Sequence, residues 1–112
     1  MLKYNTTYQS LKKVKAEWHA SVAQWEYYWY LFKFNQDGTF IYSRITENEF
    51  KSINDWFTYE NEHLTKGKFE YDSQGKLKIS FKEVSLNACI TGQDELLLEG
   101  KMDWDMFSPI YL

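Results

Sequence analysis

Side chains that commonly do chemistry are few in this chain and widely spaced. It holds two histidines, His19 and His63, and one cysteine, Cys89. Glu60 and His63 have the spacing of half a di-iron carboxylate motif, but the sequence has no second copy and no cysteine cluster of zinc-ligand spacing. Cys89 would need a nearby histidine to act as a catalytic thiol, and strand alternation places it on a polar face. We therefore expect neither a metal site nor a cofactor.

Two carboxylates, Asp103 and Asp105, form an acidic pair around Trp104. Strand alternation aims both toward the same side, and we expect that side to be the outside of the sheet. The chain also lacks a Gly-x-Ser-x-Gly nucleophile motif and the glycine-rich loops that bind phosphates. These features predict that the protein is not an enzyme.

Aromatic residues are the remaining signal, at 20% of the chain. Rings fill a narrow barrel well, so a filled core is one interpretation. The other is a lined cavity, because buried tyrosine hydroxyls need hydrogen-bonding partners and an inward arginine would recognise an anion. The sequence leaves both interpretations open. The residues predicted to line a ligand site are Tyr28, Tyr30, Phe32, Tyr42, Arg44 and Trp56.

Alternation with a period of two residues predicts that most of these side chains lie on β-strands. In residues 11–20 one face carries Val14, Ala16, Trp18 and Ala20, and we interpret the opposite, charged face as solvated. Residues 26–34 are apolar on both faces, which is typical of a central strand with the core on one side and another element outside. Further strands are predicted over 39–45, 68–72, 76–82, 84–91 and 95–99 and around 104–106.

The dipeptide Asp37-Gly38 separates two of these strands and predicts a hairpin, since glycine accepts the positive φ that such turns require. A two-residue turn would set Phe34 opposite Ile41. A bulged three-residue loop would set Phe34 opposite Phe40 and exchange the faces of the second strand. Both registers stay open, and the inward-facing set depends on which one forms.

A helical segment follows the third predicted strand. Thr46 and Glu49 have the spacing of a capping box, and Ile45 and Phe50 occupy the hydrophobic-staple positions around it. Apolar residues then recur at helical spacing, so we predict an amphipathic helix over residues 47 to about 61.

The predicted fold is mainly β, a single antiparallel meander of seven or eight strands with one amphipathic helix inserted after the third strand. Closing the meander into a small barrel removes its two open edges, and its clean alternation suits one sheet curled around one core. We expect residues 1–112 to form one domain, in which residues 1–10 are poorly ordered.

The order of several short motifs resembles small lipocalin-like, calycin-type barrel domains over roughly residues 11–107. Two departures are the absence of the Gly-x-Trp opening strand and the helix after the third strand. The resemblance implies a lipocalin-like barrel and a small apolar ligand. The motifs are Tyr30-Leu31-Phe32-Lys33-Phe34 with Asp37-Gly38-Thr39-Phe40, Trp56-Phe57, Lys66-Gly67-Lys68-Phe69-Glu70-Tyr71, Lys78-Ile79-Ser80-Phe81 and Asp94-Glu95-Leu96-Leu97-Leu98.

Net charge, hydropathy and cysteine content indicate which classes of partner and which compartment we expect for this protein. A net charge of -3 is unfavourable for binding phosphate backbones, so we expect no nucleic acid. No apolar run approaches the ~20 residues that span a bilayer, so we expect no membrane partner. The opening residues lack a secretory apolar region, and a lone cysteine suits a reducing compartment, so we expect a cytoplasmic protein.

Two functions from different classes fit these observations. One is a carrier or sensor that holds a small apolar or aromatic ligand inside the barrel, with the helix covering one mouth. The other is a small acidic protein-interaction module of the inhibitor or immunity type, with a filled barrel core and exposed Trp25, Tyr27 and Trp29. The same surface also suggests a homodimer through the outer face of residues 26–31.

Overall fold

The computed structural model of the protein describes residues 1–19, 22–99 and 104–110. Within these ranges the chain forms nine strands and two short helices. No helix there combines the length and apolar character needed to cross a membrane. The strands are β1 Thr7–Ser10, β2 Lys13–His19, β3 Val22–Phe34, β4 Thr39–Thr46, β5 Thr65–Tyr71, β6 Lys76–Phe81, β7 Val84–Ile90, β8 Leu96–Glu99 and β9 Trp104–Ile110, and the helices are α1 Glu47–Phe50 and α2 Ile53–Trp56.

Eight of the strands close into an antiparallel barrel, which confirms the predicted fold class. From β3 to β9 each strand pairs with the next along the chain, as in a meander. The ring closes through β1, which pairs with β9 on one side and with β3 on the other. Closure therefore depends on four residues, Thr7–Ser10, where the sequence predicted no strand. A segment this short, with Tyr8 as its one large apolar residue, carries little alternation signal of its own.

The predicted strand over residues 11–20 forms, as β2, but it lies outside the closed ring. Among the described strands it pairs only with β3, between Lys13↔Tyr28 and His19↔Val22. Since β4 pairs with β3 only from Tyr28 onward, Val22–Tyr27 have β2 as their sole partner among the described strands. We call β2 together with Val22–Tyr27 the arm.

The barrel interior holds one apolar core, built from alternate residues of the ring strands. Its centre is a set of stacked and edge-on phenylalanine rings, for example Phe32 with Phe107 at 5.3 Å and Phe34 with Phe69 at 5.0 Å between centroids. Burying apolar surface of this kind is the main driving force for folding. The buried members are Leu2, Tyr8, Phe32, Phe34, Phe40, Phe69, Leu77, Ile79, Ala88, Leu96 and Phe107.

The outer face of β3 and β4 carries a second core, under the helical segment. Leu31, Ile41 and Ile45 on the strands are buried against Ile53 and Phe57. This confirms the expectation that β3 is covered on both sides. The helical segment packs on the outer wall of the barrel, so the expectation that it covers a mouth was wrong.

The helical segment begins as predicted but is shorter and interrupted. The capping box forms, and the Thr46 amide donates to Glu49 Oε1 at 3.0 Å. The Glu49 carbonyl then accepts from the Ser52 amide at 3.2 Å and from Trp56 Nε1 at 3.1 Å, which interrupts the regular helical ladder. Asn61 Nδ2 donates to the Trp56 carbonyl at 2.8 Å, so this carbonyl at the end of α2 has a hydrogen-bonding partner.

The hairpin between β3 and β4 adopts the second of the two registers. Phe34 lies opposite Phe40, and the Asn35 amide donates to the Thr39 carbonyl at 2.8 Å around a three-residue loop. Gly38 has a φ of +88°, the conformation that favours glycine. Asp37 Oδ1 accepts from the hydroxyl and the amide of Thr39, and these bonds lower the pKa of the Asp37 carboxyl.

The N-terminal residues close one end of the barrel, beside the β3–β4 loop. Leu2 is 4% exposed and belongs to the inner core, while its amide donates to the Tyr71 hydroxyl at 3.2 Å. The terminal ammonium pairs with Asp94 Oδ1 at 2.6 Å and lowers the pKa of that carboxyl. We call this the Leu2 end.

Candidate ligand-binding site

Three of the predicted tyrosines lie together at the end of the barrel opposite the Leu2 end, which we call the tyrosine end. Tyr30 stacks on Tyr42 at 5.8 Å and 10° between ring planes, and Tyr28 meets Tyr30 edge-on at 5.8 Å. Phe32, 1% exposed, contacts Tyr42 at 4.8 Å and forms the floor beneath them. All three tyrosine side chains are half-buried, so their rings lie between the packed phenylalanine core and solvent.

The strand register explains why these side chains meet. Residues directly opposite each other in antiparallel strands share a face. Tyr30 is opposite Arg44, and Phe32 is opposite Tyr42, so all four lie on the inward face of β3 and β4. The hydroxyl of Ser10, on β1, accepts a hydrogen bond from the Tyr30 amide at 2.9 Å. This bond connects β1 to the tyrosine end of the barrel.

Charged groups of both signs surround the tyrosines. The Arg44 guanidinium lies over the Tyr28 ring at 4.2 Å, a cation–π contact. Lys13 Nζ lies 5.9 Å from the Tyr30 ring centre and 3.7 Å from Asp105 Oδ1. Among the side chains that the structure describes at this rim, Arg44 and Lys13 are the cations and Asp105 is the carboxylate.

The Tyr42 hydroxyl has a perturbed pKa. Burial raises the pKa of Tyr42 to about 12, with Tyr30 and Asp105 adding to the increase and Arg44 opposing it. The phenol is therefore neutral at physiological pH, and a neutral hydroxyl can both donate and accept a hydrogen bond.

Trp56 does not join the other five predicted residues. It lies on α2, packs against Phe57 at 5.7 Å between ring centroids, and borders the outer core. Its position follows from the helical segment packing on the outer wall, which the sequence did not reveal. Tyr28, Tyr30, Phe32, Tyr42 and Arg44 form the candidate site without it.

Sequence reasoning missed two residues of this site, Lys13 and Asp105. Asp105 lies opposite Leu98, which packs against the inner core, so the expectation that it faces outward was wrong. Lys13 lies opposite Tyr28, on the side that was interpreted as a solvated face. Strand alternation in the sequence shows that Lys13 and Val14 lie on opposite faces of β2. Only the pairing of β2 with β3 decides which of these two faces lies beside the tyrosines. The partner of the acidic pair, Asp103, lies outside the described residues.

The other chemistry-bearing residues do not converge in the described part of the chain. Glu60 and His63 lie in the turns after α2, where the helical spacing of the carboxylate motif no longer applies. No group of three or more histidine, cysteine or acidic side chains within residues 1–19, 22–99 and 104–110 could hold a metal ion. Cys89 is a half-buried free thiol opposite Lys76, on the outward face as predicted. The side chain of His19 lies outside the description.

A groove of about 450 Å³ lies elsewhere, on the outer wall of β5 and β6 beside the β3–β4 loop. Lys68 and Lys78 lie there with Asp37 and Glu70, so two cations and two carboxylates offset each other. It lacks the clustered rings of the tyrosine end, and the tyrosine end is the better candidate for ligand recognition.

The exposed aromatic residues predicted on β3 divide into two groups. Trp29 packs against Phe50 at 5.9 Å between centroids and borders the outer core. Trp25 and Tyr27 remain 65% and 43% exposed on the arm. Of the surface suggested for a homodimer, residues 26–31, the part near Trp29 is therefore covered by the helical segment.

No protein-family model matches this sequence, no curated protein matches it, and no solved structure matches it.

Proposed function

We propose that the protein is a non-enzymatic, cytoplasmic, lipocalin-like barrel of the calycin type that binds a small aromatic or apolar molecule at the tyrosine end. The observation that carries the proposal is the meeting of Tyr28, Tyr30 and Tyr42 with Arg44 above a phenylalanine floor. Eight-stranded barrels are wide enough to hold one small ligand as well as to fill themselves.

The arrangement of charge favours a ligand that carries an anionic group. Arg44 and Lys13 lie at the rim, where a sulfonate or carboxylate could accept their N–H groups while an attached ring contacts the tyrosines. Asp105 Oδ1 lies 3.7 Å from Lys13 Nζ. This ion pair would orient the Lys13 ammonium group that a bound anion contacts. Burial of the ring against Tyr30 and Tyr42 would supply the apolar share of the affinity.

The first test is native mass spectrometry of protein purified gently from its host, with the denatured mass alongside. An extra non-covalent mass, identified after solvent extraction as a small aromatic or apolar compound, would support the proposal. A bare chain mass, or a clean multiple of it, would favour the filled barrel instead.

A second test uses two fluorescent probes, anilinonaphthalene sulfonate and its uncharged relative phenylnaphthylamine. We expect Arg44→Gln to weaken sulfonate binding by about tenfold, which matches the loss of one charge-assisted hydrogen bond, and to leave the uncharged probe unaffected. Lys78→Gln, an equal loss of charge on the outer wall, is the matched control. Trp25→Ser tests whether the probe binds the arm instead. Equal sulfonate affinity in wild type and Arg44→Gln contradicts the proposed site.

The alternative function is a small acidic protein-interaction module with a filled barrel core. Trp25 and Tyr27 on the arm favour it, since aromatic residues are enriched at protein interfaces. Co-purification of one stoichiometric protein partner, with no small-molecule mass bound, would support this function over the first.

A further inference from the structure

A continuous layer of phenylalanine rings crosses the barrel beneath the tyrosines. Phe107 on β9 contacts Phe32 on β3 at 5.3 Å between ring centroids. Phe32 contacts Phe40 on β4 at 5.8 Å, and Phe40 contacts Phe81 on β6 at 6.1 Å. Phe32, Phe40 and Phe107 are at most 2% exposed. This layer therefore lies between the tyrosine end and the interior on the Leu2 side.

The interior on the Leu2 side of this layer is also filled with side chains. Phe34 stacks on Phe32 at 5.8 Å and meets Phe69 edge-on at 5.0 Å between centroids. Tyr8 is fully buried, and Leu2 is buried at the end of the barrel. Because protein interiors are packed about as densely as organic crystals, rings in contact at these distances leave no room for an alkyl chain to pass between them.

The distance from the anchoring cation to the phenylalanine floor limits the length of a ligand. Tyr28 is four residues from Phe32 along β3, which is about 13 Å at ~3.3 Å per residue. With the strand tilt that is usual in barrels, this distance corresponds to about 10 Å along the barrel axis. The Arg44 guanidinium lies over the Tyr28 ring at 4.2 Å, so it marks the outer limit. A ligand whose anionic group contacts Arg44 therefore has room for one or two rings before it reaches Phe32.

The tyrosine rings favour a flat ligand over a chain. Tyr30 and Tyr42 belong to neighbouring strands, and their ring planes differ by only 10°. The Tyr28 ring stands at 86° to the Tyr30 ring. Aromatic rings gain affinity from offset-stacked and edge-on contacts beyond the apolar area that they bury. An aromatic ligand can make both kinds of contact with these tyrosines, whereas an alkyl chain can make neither.

We infer that Phe32 sets the depth of the binding site, and that the ligand is a flat aromatic anion of one or two rings rather than a long-chain one. The inference rests on the proposed function, because it names the ligand class of the same site. The sulfonate or carboxylate group contacts Arg44 at the rim, the rings lie against Tyr30 and Tyr42, and their far edge meets Phe32. A long alkyl chain is stopped at the Phe32 ring and leaves its remaining methylenes in water.

The test is isothermal titration calorimetry with naphthalene-2-sulfonate, hexane-1-sulfonate and decane-1-sulfonate, which have the same anionic group. The naphthalene and decane compounds also have the same number of carbon atoms. Each additional methylene that becomes buried strengthens binding by about fourfold, so a barrel open to chains would strongly favour decane-1-sulfonate over hexane-1-sulfonate. We expect instead that these two bind within about twofold of each other, and that naphthalene-2-sulfonate binds about tenfold more tightly than either.

Removal of the floor ring tests the role of Phe32 directly. Phe32→Ala should bind decane-1-sulfonate about tenfold more tightly than the wild type does, because the chain can then enter the space that the ring occupied. Phe57→Ala removes a similarly buried ring from the outer core and is the matched control, with no change expected. Circular dichroism checks that both variants fold, and Phe32→Leu gives the same comparison with a smaller gain if Phe32→Ala does not.

The outcomes separate this inference from the proposed function. A wild-type protein that binds decane-1-sulfonate much more tightly than hexane-1-sulfonate, with both weakened by Arg44→Gln, overturns the inferred depth and keeps the proposed site. A folded Phe32 variant with no gain in affinity for decane-1-sulfonate overturns the role of Phe32. A wild-type protein that binds none of the three sulfonates, or an Arg44→Gln variant that binds naphthalene-2-sulfonate as tightly as the wild type, overturns the proposed site and the inference together.

Discussion

Phe34 lies directly opposite Phe40 across the β3–β4 pair, with ring centroids 6.1 Å apart inside the barrel. This one pairing assigns the faces of the whole of β4. It places Tyr42 and Arg44 inward, beside Phe32 and Tyr30, and leaves Ile41 to the outer core. A slip of one residue would exchange the two sets and remove the candidate ligand site.

Gly38 sets this register through its φ of +88°. We expect Gly38→Ala to lower the free energy of unfolding by about 1–2 kcal/mol, because a Cβ disfavours this conformation. Urea denaturation measures the change. Gly92→Ala is the control, since that position has no positive φ and no atom within 4 Å of an added Cβ. Equal loss in both variants would contradict a role for Gly38 in the register.

Gly67 lies opposite Phe40 and gives its ring room inside the barrel. A Cβ at this position would meet the Ser80 carbonyl oxygen first, and would also meet Phe40 Cε1 at 2.6 Å. We expect Gly67→Ala to destabilise the fold by about 1–3 kcal/mol through overpacking, measured by urea denaturation. Combining it with Phe40→Leu should cost less than the sum of the two single changes, because the two residues are in contact. Strict additivity would mean that the contact with the Ser80 carbonyl oxygen, and not the contact with the Phe40 ring, sets the cost of Gly67→Ala.

Tyr8 connects the closing strand to the core. It is fully buried, meets Phe34 edge-on at 5.9 Å, and its hydroxyl accepts the Lys3 amide at 2.8 Å. Tyr8→Ala should cost about 3–5 kcal/mol of unfolding free energy, whereas Tyr8→Phe, which keeps the ring, should cost about 1 kcal/mol. Thermal and urea denaturation check both values. A Tyr8→Ala protein as stable as Tyr8→Phe would mean that β1 contributes little to closing the barrel.

Titration of the Tyr42 phenol makes the free energy of unfolding depend on pH in the alkaline range. Its pKa in the folded protein is about 12, above the value of about 10 in an unfolded chain. The stabilisation is therefore fully present below pH ~10 and is lost as the pH rises through ~12, because the unfolded chain releases the proton first. Tyr42→Phe should remove this loss, and a phenol that titrates near pH 12 should disappear from the ultraviolet titration. Tyr59→Phe, which changes an exposed tyrosine, is the control and should leave the alkaline loss of stability in place.

Local pattern in the sequence was enough to predict much of the fold. Alternation located eight of the nine strands that the structure describes. The apolar character of both faces of β3 predicted that another element packs on its outer face. Asp37-Gly38 and the Thr46–Glu49 capping box located the hairpin and the start of α1. Each of these signals depends on backbone preferences and contacts within a few residues, which a single sequence displays directly.

Only the tertiary structure decided how these elements combine. Alternation divides residues 11–20 into two faces, but the pairing Lys13↔Tyr28 determines which face meets the tyrosines. The four residues of β1 form a strand because β9 and β3, remote in sequence, supply their hydrogen-bonding partners. The inward position of Asp105 likewise follows from its pairing with Leu98. Pairing between distant strands sets register, face and closure, and a local pattern contains no information about which distant strand will be the partner.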